Sequence, residues 1–342
     1  MSSDLAELGH NIVVVGASAG GVEALVTLTA QLPADLPAAI FVVLHTPSNT
    51  PSRLPEILNR NNSLPTKIAE DGEPIRLGQI YLAPPDNHMV LKANQVQIVH
   101  GPRENLWRPA IDPLFRSAAV THGARAIGVI LTGMMDDGAA GLVAVKRCGG
   151  CAVVQAPTDA AFPEMPSSAL AHVEADYTLP LAEMGAVLDR LVREPAGASP
   201  MVPEELWLEN QIVERMTSHL EQASQLGEQV PISCPECGGP LWEMKADDTR
   251  RYRCSVGHAY TAQTLLADQT HETESALWYA LRTLEERANM LKRMASDEQG
   301  RGRQATAKLF QIRADESKTY ATQLRKLLQE AFIEQQNMLV AS

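Results

Sequence analysis

Three kinds of side chain that can do chemistry each follow a short apolar run. Ser18 comes just after Ile12 to Val15, His45 directly after Ala39 to Leu44, and the adjacent pair Asp136-Asp137 shortly after Ala124 to Leu131. A hydroxyl, an imidazole with a reference pKa of about 6.5 and a carboxylate are the parts of a nucleophilic relay. The imidazole takes the hydroxyl proton during attack on a carbonyl, and the carboxylate fixes the imidazole tautomer and stabilises its cation. The runs that precede them are rich in β-branched residues and read as buried parallel strands. Ligands sit at the carboxyl ends of such strands. Ser18 lies in Gly16-Ala17-Ser18-Ala19-Gly20, a strand-to-helix corner that would lift its hydroxyl above the sheet edge beside a helix N-terminus.

Two plainer readings use the same residues. Any doubly wound sheet needs small residues at its first strand-helix turn, and either aspartate could simply cap the helix that follows Gly138. A dinucleotide-binding loop would need glycine where Ser18 stands and an acid at the end of the second strand, where His45 stands, so that reading is disfavoured. The hydrolytic reading rests on a coincidence: serine, histidine and aspartate all occupy the same kind of place.

The chain has 342 residues, enough for about two domains, and 45% apolar content, enough for a substantial core. From Asn11 to about Arg193, short apolar runs alternate with amphipathic segments, which predicts a doubly wound α/β domain with a mostly parallel sheet. Met89–Lys92 and Gln95–Val99 flank a two-residue turn and predict an antiparallel hairpin in that sheet. The net charge of −12 divides into −7 over residues 1–200 (13 basic, 20 acidic) and −5 over residues 201–342 (16 basic, 21 acidic). Neither half has the basic excess that nucleic-acid binding requires. The N-terminus lacks a signal pattern, and no apolar run reaches the roughly 20 residues of a membrane span, which predicts a cytoplasmic protein without membrane insertion.

Several stretches besides the three strand ends make residues 9–195 resemble the catalytic domain of the CheB-type chemotaxis protein-glutamate methylesterases. They are Tyr81-Leu82-Ala83-Pro84-Pro85-Asp86-Asn87-His88-Met89, Arg108-Pro109-Ala110-Ile111-Asp112-Pro113-Leu114-Phe115 and Phe162-Pro163-Glu164-Met165-Pro166. The resemblance implies Ser18 as nucleophile, His45 as base, Asp137 as acid, and an oxyanion-binding turn at the backbone of Met134, with Ala19 on the nucleophile side. It implies hydrolysis of glutamate methyl esters on a protein such as a chemoreceptor cytoplasmic domain, with release of methanol, and deamidation of glutamines. Ala19 stands where chemotaxis members usually carry threonine, and Met135-Asp136 depart from their usual TGMG. With only about ten residues before the first strand, a stand-alone form without the family's receiver domain is expected. Arg108 could contact a substrate carboxylate, although a salt bridge explains it as well. His88, His122 and His172 read as surface or packing residues, and Cys148 and Cys151 as buried apolar ones.

A linker from Glu194 to Pro200 leads to an acidic amphipathic segment, residues 203–227, whose apolar side is Leu206, Ile212, Met216 and Leu220. Residues 196–230 thus read as linker and connecting helix. Cys234, Cys237, Cys254 and His258 have the spacing of two ligand pairs, which suits a tetrahedral Cys3His zinc site in a ribbon-like module over residues 231–260. With all four positions filled by protein the site would be structural and play no part in catalysis. Arg250-Arg251-Tyr252-Arg253 reads as a solvated face, since the module carries four basic and four acidic side chains. Residues 261–342 show heptad-like spacing on both sides of Gly300-Arg301-Gly302 and predict an antiparallel helical hairpin, free to dock, self-associate or bind a partner. A non-catalytic scaffold, binding partners through this hairpin and the zinc module, is the competing reading of the whole chain.

Overall fold

The computed structural model describes residues 9–46, 52–215, 224–244 and 250–341. The chain divides into two compact units, Met1–Leu265 and Leu266–Ser342.

The first unit is built on seven strands in the order β3-β4-β2-β1-β7-β8-β9. These are β1 (Ile12–Ala17), β2 (Ala39–Leu44), β3 (Thr66–Ile68), β4 (Ile80–Leu82), β7 (Ala126–Ile130), β8 (Cys151–Gln155) and β9 (Tyr177–Leu179). Every pairing among them is parallel. Both faces are covered, so the central strands are apolar throughout. In β1, Ile12 and Val14 face one core with α3 (Ile111–His122), α4 (Ala139–Arg147) and α5 (Glu164–His172). Val13, Val15 and Ala17 face the other, with α1 (Gly21–Ala30), α2 (Leu54–Asn61) and α6 (Leu181–Leu191). The expected hairpin forms as β5 (His88–Leu91) and β6 (Val96–Val99), antiparallel but as a separate two-stranded sheet. It packs on α3, where the Ser117 hydroxyl accepts the Leu91 N–H at 2.9 Å.

Strand order reverses at β1: the chain runs outward through β2 on one side and returns to add β7 on the other. Such switch points leave a crevice at the strands' carboxyl ends. Ser18 and His45 follow two of these central strands, and Asp137 lies in the turn after the third.

The connecting segment folds as α7 (Glu204–Arg215), with Leu206 in the main core; the expected Met216 and Leu220 lie outside the described residues. It leads to a four-stranded antiparallel ribbon, β10 (Gly227–Ser233), β11 (Pro240–Met244), β12 (Arg251–Cys254) and β13 (Ala259–Thr261). The ribbon belongs to the same compact unit as the α/β domain.

Between them lies a buried ionic cluster. Glu209 on α7 accepts hydrogen bonds from Arg116 (3.1 Å), Arg251 (2.9 Å) and Arg253 (2.9 Å), and Glu104 accepts from Arg116 (3.0 Å) and Arg253 (2.9 Å). Within the basic run Arg250 is exposed as expected, but Arg251 and Arg253 are not on a solvated face: Arg253 is 1% exposed and Arg251 6%, because two acids from distant segments neutralise them. Burial would raise the Glu209 carboxyl, but the three guanidinium groups hold it far below its usual range.

The second unit consists of the rest of α8 (Ala262–Gly300) together with α9 (Gln304–Ala341). Leu281, Ala321 and Leu328 form its seam, flanked by Leu277, Leu284 and Leu324, as a helical hairpin requires. No helix among the described residues is long and apolar enough to cross a membrane.

Candidate active site and metal cluster

The three strand-end residues meet. Ser18 Oγ lies 3.2 Å from His45 Nδ1, and His45 Nε2 lies 2.8 Å from Asp137 Oδ2. Residues 27 and 92 positions apart in sequence are joined because β2 and β7 flank β1. The imidazole is almost fully buried and is stacked against Trp107, ring centroids 4.4 Å apart and planes 9° from parallel. With a carboxylate at Nε2, the neutral ring carries its proton there and leaves the Nδ1 lone pair facing the Ser18 hydroxyl.

Asp137 is built to stay ionised. Its Oδ2 also accepts the Ile111 N–H at 2.6 Å, and its Oδ1 accepts from Asn105 Nδ2 at 2.9 Å and from the Asp112 N–H at 3.3 Å. Ile111 and Asp112 open α3, and Ala110 before them offers no side-chain cap, so the carboxylate fills the cap's place and meets the positive helix end. Burial pushes its pKa up, but the bonds from His45, Ile111 and Asn105 outweigh it and the carboxyl stays below its usual range. Asp112 behaves oppositely: burial, with the Asp137 charge beside it, pushes its carboxyl up to about 8. Its Oδ1 accepts the Gly138 and Gly141 N–H groups at 3.0 and 2.6 Å, tying α3 to α4. Asp136 has no bond to the imidazole, and burial raises its carboxyl.

The turn after β7 is pinned on both sides. The Gly133 N–H donates to Phe162 O at 3.0 Å, and the Met135 N–H to Glu164 Oε2 at 2.9 Å. The Met134 N–H between them, like that of Ala19, has no acceptor among the described residues. The Thr132 hydroxyl, donating to Ala19 O at 3.0 Å, holds the two turns together. Gly133 must be glycine: a Cβ there would stand 2.8 Å from the Ser18 Cβ and 2.4 Å from Met165 Sδ.

Arg108 is engaged elsewhere. Nε and Nη2 both donate to Asp86 Oδ1 at 2.9 and 2.8 Å, and Nη1 to Gly101 O at 2.8 Å, the salt-bridge alternative. His88 is a buried packing residue, with Nε2 on Pro102 O at 2.8 Å and the Ala110 N–H on Nδ1 at 3.2 Å. Trp107, Asn105, Glu164 and the Ile111 N–H escaped the sequence reading. Their one signal was proximity to the Arg108–Phe115 and Phe162–Pro166 stretches.

Known proteins resemble this chain over its α/β domain. The family model for CheB methylesterase matches residues 13–188, which is 176 of the 342. The chain belongs to the CheB methylesterase family. A Leptospira interrogans chain provisionally named protein-glutamate methylesterase/protein-glutamine glutaminase is 36% identical over 185 residues, 54% of this chain and 96% of that one. The Photorhabdus laumondii protein-glutamate methylesterase/protein-glutamine glutaminase is 38% identical over 179 residues, and there the match spans about half of each chain (51% and 51%). The crystal structure of the Thermotoga maritima CheB methylesterase catalytic domain superposes with a TM-score of 0.52 at 36% identity, covering 53% of this chain and 98% of that domain. Ser18, His45 and Asp137 lie inside the residues matched to the CheB family, while the ribbon and the two long helices lie beyond them.

In that ribbon the ligand atoms of Cys234, Cys237, Cys254 and His258 all lie within 4.8 Å of one another. Cys237 Sγ is 3.7 Å from Cys254 Sγ, and His258 Nδ1 is 3.5 Å from Cys254 Sγ and 3.7 Å from Cys234 Sγ. A tetrahedral ion with bonds of about 2.1 to 2.3 Å has ligand-to-ligand edges of about 3.5 to 3.8 Å, so the donor set fits a metal ion. Glu236, which the sequence reading passed over, accepts from His258 Nε2 at 2.8 Å, the position of an outer carboxylate that would orient the imidazole toward a metal.

Proposed function

We propose that this CheB-family chain is a serine-type hydrolase of glutamate methyl esters on a protein, in chemotaxis-type signalling. The observation that carries the reading is the Ser18–His45–Asp137 relay at 3.2 and 2.8 Å beside two N–H groups free to donate to an oxyanion. Ser18 Oγ attacks the ester carbonyl while His45 Nδ1 takes its proton. The N–H groups of Ala19 and Met134 receive the developing oxyanion, each worth about 2.7 to 4 kcal/mol in comparable sites. Collapse expels methoxide, which takes the proton from His45 and leaves as methanol. His45 then deprotonates water, which attacks the acyl-serine. Glutamate is released and Ser18 regains its proton. A glutamine amide follows the same path with ammonia leaving. Asp137 keeps the base in the working tautomer throughout.

The substrate class follows from the family's named activities; a methylated chemoreceptor cytoplasmic domain is the partner this reading assigns. Cys234, Cys237, Cys254 and His258 hold a structural zinc ion, favoured by three thiolates and one imidazole with no open position. Treating the protein with a fluorophosphonate and mapping the adduct tests the nucleophile. A single adduct on Ser18, abolished in His45→Ala, is expected; an adduct on another residue would overturn the assignment.

A further inference from the structure

The ribbon is not merely adjacent to the catalytic acid; one short segment touches both. The Asn105 N–H donates to Ala259 O at 2.8 Å, the Ala259 N–H to Arg103 O at 3.3 Å, and the Thr261 N–H to Asn105 Oδ1 at 3.2 Å. Residues 103–105 therefore lie along β13 like an added strand, and Ala259 is the residue directly after the ligand His258. Two side-chain ties reinforce the seam: Arg103 to Glu236 at 3.6 Å, the same carboxylate that holds His258, and Arg253 to Glu104 at 2.9 Å. Arg253 also donates to Gly257 O at 2.9 Å, inside the knuckle. The approach is close enough that a Cβ on Gly257 would lie 3.1 Å from Pro102.

On its other side the same segment meets the relay. Asn105 Nδ2 donates to Asp137 Oδ1 at 2.9 Å and to Asp112 Oδ2 at 2.8 Å. Trp107, closed back on Glu104 by hydrogen bonds in both directions, forms the stack on His45. Asn105 and Leu106 both take left-handed backbone conformations, φ 51 and 72, and leucine avoids that region unless surrounding contacts impose it. Here β13 supplies those contacts.

We propose that Asn105 is a positioning residue for Asp137 held in place by the metal-bearing ribbon, so that metal occupancy of the Cys234-Cys237-Cys254-His258 cluster sets the competence of the relay. This rests on the reading of Ser18, His45 and Asp137 as catalytic. With the knuckle closed around a metal, β13 fixes residues 103–105, the Asn105 amide meets Asp137, and Trp107 covers the imidazole. When the knuckle opens, the left-handed turn loses its template and the acid loses one donor.

The test uses the full chain in three states: zinc-loaded, stripped by a chelator, and reloaded with zinc. Two quantities are read in each, the proton resonance of the His45 Nε2–H···Asp137 bond by NMR of histidine-labelled protein, and the rate of Ser18 reaction with a fluorophosphonate. Asn105→Gly tolerates the left-handed backbone while removing the amide, and Asn105→Asp keeps the shape and the acceptor for Thr261 while removing the donor. Stripping should weaken the His45 resonance and slow the Ser18 reaction about 10- to 100-fold, the worth of one hydrogen bond to a charged group, and zinc should restore both. Both variants should be slow with zinc bound and respond little to its removal, because the link they would transmit is already broken. Methyl spectra of the α/β core and a retained zinc equivalent identify variants that remain folded, and the unsubstituted protein supplies the same comparison with no substitution at all. A resonance unmoved by stripping, or folded variants that match the parent in both readouts, would overturn the proposal. If the resonance responds to zinc while Ser18 never reacts, the link to the ribbon holds and the hydrolase reading fails.

Discussion

Replacing Asp137 by asparagine should lower kcat about 10⁴-fold, and the four donors around the carboxylate explain why. His45 Nε2 and the Ile111 N–H converge on Oδ2, and Asn105 Nδ2 and the Asp112 N–H on Oδ1. An amide has only one oxygen. If its nitrogen faces Asn105 and Asp112, two buried donors confront a third, at about 1 to 3 kcal/mol for each one left unsatisfied. If its nitrogen instead faces His45, the imidazole must present a lone pair at Nε2 and carry its proton on Nδ1, pointing at Ser18. The base is then lost while the fold is kept, as in the trypsin variant with the same change, where the loss is about 10⁴. That corresponds to about 5 kcal/mol of transition-state stabilisation. Asp136→Asn, which touches neither His45 nor Ser18, should stay within about tenfold of the parent. Steady-state ester hydrolysis by the two variants, with thermal unfolding as a control for the fold, provides the comparison. Equal losses, the reverse order, or a folded Asp137→Asn protein within tenfold of the parent would refute the reasoning.

Other expectations concern the structure around the site. Glu209→Ala leaves Arg116, Arg251 and Arg253 buried with one counter-charge fewer, and should cost about 3 to 5 kcal/mol of stability in urea unfolding; a cost under about 1 kcal/mol would show that water or rearrangement compensates. Asp112, with its carboxyl raised to about 8, contributes stability that is complete below its unfolded value of 3.8 and declines as pH rises until it ionises in the folded state. The decline is about 1.4 kcal/mol per pH unit for one proton. The stability difference between the parent and Asp112→Asn should therefore shrink between pH 5 and 8 and level off above, and a difference constant with pH would contradict this. Protein purified without added zinc should carry about one equivalent per chain, falling below half in Cys254→Ser; unchanged metal content in that variant would exclude the site.

The relay was legible in the sequence because each of its residues follows a contiguous apolar strand, and a buried parallel strand needs no partner to be recognised. Pairing was not. The hairpin at Ala93-Asn94 was readable as a hairpin, but nothing in its alternation said that α3, rather than the main sheet, would cover it. Arg251 and Arg253 were misread because the partners that bury them are distant: Arg253 meets Glu104 across 149 positions and Arg251 meets Glu209 across 42. Asn105 and Trp107 sit in an aperiodic turn with left-handed backbone, where neither helix nor strand spacing leaves a trace. The four residues of the Cys3His cluster, by contrast, were local enough for spacing alone to group them, and only Glu236, whose place depends on a side-chain contact, was missed.

Methanol release from membranes carrying methyl-labelled chemoreceptors tests the central claim most directly, with the parent protein and Ser18→Ala run side by side. A half-buried hydroxyl at a turn contributes little to packing, so Ser18→Ala should fold normally and release no labelled methanol above the enzyme-free rate, while the parent releases it with turnover. Parent and Ser18→Ala releasing methanol equally, or a folded, zinc-loaded parent releasing none, would contradict the account.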